Sequence, residues 1–365
     1  MESSKLSKRN EDYSKLFVGA LGFFSGIMFN RHFSSKNQIK KNFGDLNLSI
    51  PFGICLSCAF ETFKSSLNYV KVEKIDHILS KALTSTFVDK IRSQVTRSCT
   101  LEVDSNRYTF YCTDVDVEKD IRECIEITLF LKRLSNKSVS LTYHIFMIDF
   151  PKVYDGSSKL SSYDNINSGM YESSIVYVWR LEECVKVTCH ETIHALGLDF
   201  YNESLYLYRL KIDLGWRIDG PFNPAEATTE ALTRILTCIY LANKNNVSIE
   251  DLLQYQFRFT IKNAAKILKL NKIKNISSLK NNNWEQQTYA IEYYLLTAVL
   301  LYDCCVNEKI YEAIFSRILQ NGQCDPSIIS NSILRNLRTG SNFCNIIDTL
   351  LTYEVFDNSL RMTPF

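Results

Sequence analysis

The run His-Glu-Thr-Ile-His at positions 190–194 contains two of the chain's five histidines. On an α-helix, side chains four residues apart share a face, so His190 and His194 can bind one zinc ion at about 2.0–2.1 Å. Glu191 would lie beside that ion, where a carboxylate can take a proton from a metal-activated water and pass it to a leaving amine. The spacing therefore predicts a hydrolytic Zn²⁺ site with Glu191 as the general base.

A catalytic zinc ion usually has three protein ligands and one open position. Candidates for the third ligand lie 32 residues beyond His194, where Glu226 and Glu230 are four positions apart in a helix-forming run that follows Pro224. One of these carboxylates can bind the metal while the other accepts the free N–H group of a ligating histidine. The alternative is a pair of solvated carboxylates on an exposed helix face.

A His-Glu-x-x-His motif followed by a downstream Glu-x-x-x-Glu helix resembles the gluzincin metallopeptidases, the thermolysin-like clan, over roughly residues 175–235. The resemblance implies a zincin-like fold and peptide-bond hydrolysis. It also implies that His190, His194 and Glu226 bind zinc, that Glu191 is catalytic, and that Glu230 supports a ligating histidine. The same region, with Tyr293 and Tyr294 further on, is similar to uncharacterised proteins of large DNA viruses that carry this motif, which implies a viral origin.

Other ligand schemes fit the sequence less well. The metzincin pattern requires a third histidine shortly after the motif, and the other three histidines (His32, His77 and His144) all precede it. Asp199 is a weaker alternative ligand or a hydrogen-bond acceptor for a ligating histidine. We expect it mainly to end the helix together with Gly197.

Hydrophobic periodicity predicts an α+β fold that places this motif between two lobes. We expect an N-terminal extension at 1–44, an α/β lobe at 45–200 that includes the motif helix (181–198), and a mostly helical lobe at 201–365 that carries the third ligand. The α/β lobe has predicted helices at 60–67, 74–87 and 117–134, and strands at 107–112, 138–149 and 174–179. Predicted helices of the second lobe are 251–268, 284–306, 309–320, 327–337 and 344–353.

Two features of these elements bear on substrate binding. Strand 174–179, beside the motif helix, is the candidate edge strand to which an extended substrate could add as a further strand. The alternative is an ordinary strand within the sheet. Tyr293 and Tyr294 are candidates to stabilise the oxyanion that forms during peptide hydrolysis, although core packing is the more common role of a tyrosine.

Composition allows a globular enzyme and excludes some partners. The chain has 365 residues, 45% hydrophobic and 22% charged residues, and a net charge of +2. This length can bury a sizeable core, and the small net charge does not favour nucleic acid as a partner. We therefore expect a protein or peptide substrate. The twelve cysteines show only one Cys-x-x-Cys pair, Cys55 and Cys58, so we expect reduced thiols and an intracellular compartment.

Residues 16–29 form an uncharged apolar segment with basic residues on both sides. Fourteen helical residues extend about 21 Å, less than the roughly 30 Å hydrocarbon core of a bilayer. The segment is compatible with membrane association at the interface, with a buried or partner-facing segment, or with a targeting peptide. A non-catalytic zincin-fold structural or virion protein, tethered to a membrane or not, is the alternative to a metallopeptidase.

Overall fold

The structure is a computed structural model that describes residues 68–69, 83, 85–113, 117–154, 163–200, 204–319, 326–353 and 356–365. Three sequence-based predictions lie outside these residues: the apolar segment 16–29, the Cys55 and Cys58 pair, and the helix 60–67. Most of the predicted helix 74–87 lies outside them as well. In the part of the chain that the structure describes, no helix is long and apolar enough to cross a membrane.

The first half of the described chain alternates strands and helices. In chain order the elements are β1 (Asn68–Tyr69), α1 (Ser85–Gln94), β2 (Arg97–Val103), β3 (Asn106–Cys112), α2 (Glu118–Ser135), β4 (Thr142–Met147), the short helix α3 (Tyr163–Ile166), β5 (Gly169–Glu172), β6 (Ile175–Val178) and α4 (Cys184–Ala195). The predicted strand 138–149 is therefore shorter than expected. Strands β2 and β5 were not predicted.

Over the described residues, the strands of this half form one six-stranded sheet in the order β1-β2-β3-β4-β6-β5. β1, β2 and β3 are antiparallel neighbours, β3, β4 and β6 run parallel, and β5 returns antiparallel along β6. Burial alternates along β2, where Leu101 and Val103 are buried and Glu102 is exposed. This two-residue period is typical of a sheet whose two faces differ in packing.

The sheet order corrects the prediction that strand 174–179 forms the edge. β6, which corresponds to that strand, lies between β4 and β5, so β5 is the edge strand. β5 begins at Gly169 and is only four residues long. Its pairing with β6 comes from the tight turn at Ser173 and Ser174, which both have positive φ angles.

Helices cover both faces of the sheet. α1 packs on one face, where Phe87 and Ile91 join Phe146 and Trp179 in a small core. α2 and α4 pack on the other face and belong to the main core. α4 contacts α2, β5, β6 and the helix that carries Glu226, so it is enclosed on several sides. Most of its side chains are buried, polar ones included, because little of the helix faces solvent.

The second half of the described chain is mainly helical. Its elements are α5 (Ser204–Leu214), β7 (Arg217–Asp219), α6 (Ala225–Asn245), α7 (Ile249–Leu270), a 3₁₀ turn (Ile276–Lys280), β8 (Asn283–Glu285), a π-helical turn (Glu292–Leu296), α8 (Thr297–Val306), α9 (Glu308–Leu319), α10 (Pro326–Asn336) and α11 (Asn342–Tyr353). Four of its five predicted helices occur with ends that differ by at most two residues.

The predicted helix 284–306 is wrong in its first third. Trp284 lies in β8, which pairs in parallel with β7, so Trp284 stands opposite Ile218. The pairing joins segments more than sixty residues apart, and such a contact leaves no local periodicity in the sequence. The helix begins only with the π-helical turn that carries Tyr293.

The last residues of the chain return to the start of α4. The backbone N–H groups of Met362 and Thr363 donate to Glu183 Oε1, each at 2.6 Å. The hydroxyl of Tyr294 donates to the carbonyl oxygen of Leu360 at 2.5 Å. Residues of both predicted lobes belong to the same main core. The described chain is thus a mixed α and β structure, consistent with the predicted α+β class, and its nine described cysteines are free thiols, eight of them buried.

Candidate metal centre

Helix α4 presents the two histidines of the motif on one face. The helix ends at a positive-φ glycine, Gly197, and the N–H groups of Gly197 and Leu198 donate to the carbonyl oxygens of His194 and Ile193. Glycine adopts this left-handed conformation without the steric cost that a Cβ brings. The chain therefore turns back just after the helix, and this turn brings Asp199 beside the ring of His194.

Glu226 reaches the histidines from the first turn of α6. The Asn223 side chain caps this turn, because its Oδ1 accepts from the N–H group of Ala225 at 3.1 Å while its carbonyl accepts from the N–H group of Glu226 at 3.0 Å. Pro224 begins the turn at φ −60°, a value that a proline ring favours. The Asn-Pro-Ala sequence before Glu226 thus builds the start of the helix.

The Nε2 atoms of the two histidines and one oxygen of Glu226 converge. His190 Nε2 and His194 Nε2 are 3.1 Å apart, and they lie 3.4 and 3.5 Å from Glu226 Oε2. Of the described residues, His190, His194 and Glu226 form a group that could hold a metal ion. The structure thus brings together the three residues that sequence analysis predicted as ligands.

Glu230 lies behind the ring of His190. Its Oε2 is 3.0 Å from His190 Nδ1 and 2.6 Å from Lys186 Nζ, and its Oε1 accepts from Arg234 Nε at 2.8 Å. Because a carboxylate only accepts, the Nδ1–H group must donate, which leaves Nε2 of the neutral ring available to bind a metal. Burial raises the pKa of Glu230, but the two cations outweigh this and hold it well below the ordinary value.

Asp199 has the same relation to the second histidine. Its Oδ2 accepts from His194 Nδ1 at 2.5 Å, so both rings present Nε2 to the candidate metal position. The helix ends before Asp199, in the turn that contains Gly197, where we expected these two residues to end it. The role as an acceptor for a histidine was the less favoured reading of Asp199.

Burial and charge act in opposite directions on the titration of these groups. Burial lowers the pKa of His190 and of His194, whereas Glu226 and the carboxylates behind the rings raise it, with a net increase for both. The same contacts hold the pKa of Glu226 far below its usual range despite burial. The centre therefore stabilises positive charge between the rings and Glu226.

Glu191 lies on the same helix, against β5. It is 7% exposed, and burial raises its pKa. The backbone of Gly169 lies so close that a Cβ atom there would be 2.8 Å from Glu191 Oε1 and 2.6 Å from a methyl carbon of Val187. The close approach of β5 thus restricts the conformation of the Glu191 side chain.

The two candidate tyrosines have different surroundings. The hydroxyl of Tyr293 is 3.4 Å from Glu226 Oε2, and its ring meets that of His190 edge-on at 5.8 Å. Tyr294 is buried, and its hydroxyl donates to the carbonyl of Leu360. The structure therefore brings Tyr293 to the centre and directs Tyr294 to the C-terminal residues.

Sequence analysis missed the cations that hold Glu230 in place. Lys186 is four residues before His190 on α4, and Arg234 is four residues after Glu230 on α6. The same i, i+4 spacing that singled out the ligands could have found both. Gly169, which approaches Glu191 from the strand side, carries no such local signal. Comparisons with protein-family models, curated proteins and solved structures each find no match to this chain.

Proposed function

We propose that the chain is a zinc-dependent metallopeptidase of the gluzincin type. The observation that carries this proposal is the triangle formed by His190 Nε2, His194 Nε2 and Glu226 Oε2, whose sides are 3.1, 3.4 and 3.5 Å. A tetrahedral zinc ion about 2.05 Å from each of three ligand atoms places those atoms about 3.3 Å apart. Nitrogen and oxygen donors in this arrangement suit zinc, and both rings have a partner that fixes the tautomer.

A zinc ion bound there would act as a Lewis acid that polarises the scissile carbonyl and acidifies water. The side chains around it have complementary roles. Glu191 accepts the proton of the attacking water and donates it to the nitrogen of the leaving amine. Its restricted position against Gly169 orients the carboxylate toward the reacting atoms. The hydroxyl of Tyr293 donates a hydrogen bond to the oxyanion of the tetrahedral intermediate.

The edge strand β5 is the place for the substrate backbone in this proposal. One side of β5 pairs with β6, and among the described residues no strand pairs with its other side. An extended peptide can add to such an edge through backbone hydrogen bonds. Because β5 begins at Gly169, next to Glu191, a peptide bound along it would pass the general base.

The experiment that tests the proposal uses the zinc-loaded full chain, a library of internally quenched peptides, and the variant Glu191→Gln. We expect cleavage by the wild type and a loss of at least about 100-fold in the variant. Bound zinc, measured by mass spectrometry of the metal, should remain near one ion per chain. Glu312→Gln, a change at an exposed glutamate on α9, is the matched control and should keep full activity.

Two results would contradict the proposal. Full activity of Glu191→Gln would exclude this general base. A wild type that binds zinc and cleaves no peptide in the library would favour the alternative, a non-catalytic metal-binding protein.

A further inference from the structure

A pocket opens beside His190 and Glu191, on the side away from α6's first turn. The space that the centre of a water molecule can occupy there is about 20 Å³, and the pocket is partly open to solvent. Its polar lining comes from Lys152, from the residues before β5, from α4, from Glu230 of α6 and from Tyr293. These include Lys152, Ser168 and Lys186, none of which the proposed hydrolytic step uses.

Lys152 is a buried lysine whose ammonium group has a single anionic contact among the described residues. Its side chain is 1% exposed, and its Nζ is 3.0 Å from Glu183 Oε2, the one anionic contact of this ammonium group among the described residues. An ammonium group has three N–H donors. Burial lowers the pKa of Lys152, and Glu183 counters this shift. Among the described residues only Glu183 pairs with this group, and Lys152 lines the pocket.

Ser168 provides a second donor without a partner. Its residue is 4% exposed, and its Oγ has no hydrogen-bond partner among the described residues. A buried hydroxyl without a partner is costly, because most buried polar groups in folded proteins are hydrogen-bonded. Ser168 directly precedes Gly169, the first residue of the edge strand, so this hydroxyl lies where a bound peptide would enter the site.

Lys186 adds a second ammonium group on the helix side. It binds Glu230 Oε2 at 2.6 Å, and its other contact is the thioether of Met362 at 3.4 Å, a weak acceptor. The pocket therefore presents two ammonium groups and one hydroxyl, each with at least one donor that a stronger acceptor could use.

The pocket lining also contains two carboxylates, Glu191 and Glu230. Lys186 Nζ and Arg234 Nε contact the two oxygens of Glu230 at 2.6 and 2.8 Å, so two cations compensate its negative charge.

We propose that this pocket binds a carboxylate group of the peptide substrate next to the scissile bond, with Lys152, Lys186 and Ser168 as hydrogen-bond donors. The proposal rests on the metallopeptidase function proposed above. A carboxylate offers two oxygens and about four acceptor positions, which match donors that approach from three directions. The group belongs either to an Asp or Glu side chain or to the C-terminus of the peptide, since both present the same atoms.

The first test compares substrates and distinguishes these two sources. One series of peptides has an amidated C-terminus and carries Glu or Gln at each position around the scissile bond. A second, neutral series has a free or an amidated C-terminus. We expect a preference for the carboxylate of at least about tenfold in kcat/KM in one series, because hydrogen bonds to charged groups are strong. A wild type that cleaves peptides with no preference in either series would overturn the carboxylate pocket and leave the metallopeptidase proposal intact.

The second test assigns the preference to the pocket. Ser168→Ala should fold normally, because it removes a hydroxyl that has no partner, and it should reduce the preference about three- to tenfold. The matched control is Thr237→Val, since Thr237 is also 4% exposed and does not line the pocket. The double variant Lys152→Met with Glu183→Gln removes a cation and its anion together, keeps an acceptor for the N–H groups of Met362 and Thr363, and should abolish the preference.

A binding measurement separates the two proposals if no peptide is cleaved. The probes are N-acetyl-aspartate amide and N-acetyl-asparagine amide, titrated into the zinc-loaded Glu191→Gln variant by calorimetry. We expect the aspartate probe to bind at least about tenfold more tightly, and this difference should fall when Ser168→Ala is added. Aspartate binding that is unchanged by Ser168→Ala and by the Lys152 and Glu183 double variant would indicate coordination to the metal alone and would overturn the pocket.

Discussion

The two sides of the histidine pair differ in how completely their polar groups are paired. On the Nδ1 side, Glu230 contacts His190, Lys186 and Arg234, and Asp199 contacts His194. On the Nε2 side, His190 Nε2, His194 Nε2 and Glu226 Oε2 converge on one position, and among the described residues no Lys or Arg side chain contacts Glu226. The Nδ1 side therefore stabilises the rings, and the Nε2 side has capacity for a metal ion.

The two carboxylates of α6 give the largest expected contrast between these sides. Glu230→Ala leaves Lys186 and Arg234 buried without their anion, so we expect a loss of about 3–5 kcal/mol in the free energy of unfolding of the metal-free protein. Glu226→Ala should cost less stability and should lower zinc affinity far more, since it removes a ligand. Urea unfolding of the metal-free variants and competition with a zinc chelator measure the two effects.

The order of the two variants should therefore reverse between the two measurements. If Glu230→Ala lost more zinc affinity than Glu226→Ala while remaining folded, Glu230 would be the ligand and the assignment of the two sides would be exchanged.

Gly169→Ala tests the position of Glu191 through steric contact alone. A Cβ atom at this position meets Glu191 Oε1 at 2.8 Å and Val187 Cγ1 at 2.6 Å, so the Glu191 carboxylate must move. We expect kcat to fall about 100-fold, because small displacements of a general base are costly, with a destabilisation of about 1–3 kcal/mol. Zinc affinity should stay within a few-fold of the wild type, because no ligand or ring partner is displaced. A large loss of zinc would instead show that β5 supports the metal ligands.

Sequence alone predicted the ligands because their signal is local. His190 and His194, and likewise Glu226 and Glu230, stand four residues apart on helices, and this spacing is readable without a fold. The edge strand was misplaced because β5 is four residues long, and its identity depends on pairing with β6 after a turn. Lys152, Ser168 and the residues near Met362 come together only through the path of the whole chain, so no pattern within a window of sequence joins them.

Glu292 holds the segment before α6, and its contribution to stability should depend on pH. Its Oε1 accepts from the N–H group of Asn223 at 2.8 Å and its Oε2 from Gln286 Nε2 at 3.1 Å, so it holds the entry to the helix that carries Glu226. Burial raises its pKa to about 8. A carboxyl group with a raised folded-state pKa binds its proton more tightly in the folded protein, so the free energy of unfolding should fall as pH rises from about 5 to about 8.

The variant Glu292→Gln isolates this contribution. It should be less stable than the wild type at pH 5, by about 1–3 kcal/mol. The reason is that its amide N–H₂ group would face either the Asn223 N–H group or Gln286 Nε2, which are both donors. It does not titrate, so the difference should narrow as pH approaches 8. Unfolding by urea at pH 5, 6.5 and 8 measures this, and a difference that is constant with pH would contradict the raised pKa.

Tyr293 and Tyr294 give the smallest expected effects and the most direct comparison. They are adjacent in sequence, but Tyr293 contacts the metal centre and Tyr294 contacts the C-terminal residues. Tyr293→Phe removes the hydroxyl near Glu226 Oε2, and we expect kcat to fall about tenfold with KM and stability nearly unchanged. Tyr294→Phe removes the donor to the Leu360 carbonyl, and we expect a loss of about 1 kcal/mol in stability with kcat unchanged. Steady-state kinetics and urea unfolding of both variants separate the two roles. A fall in kcat for Tyr294→Phe equal to that for Tyr293→Phe would mean that the π-helical turn acts on the site as one packed unit, and that neither hydroxyl contacts the reacting group.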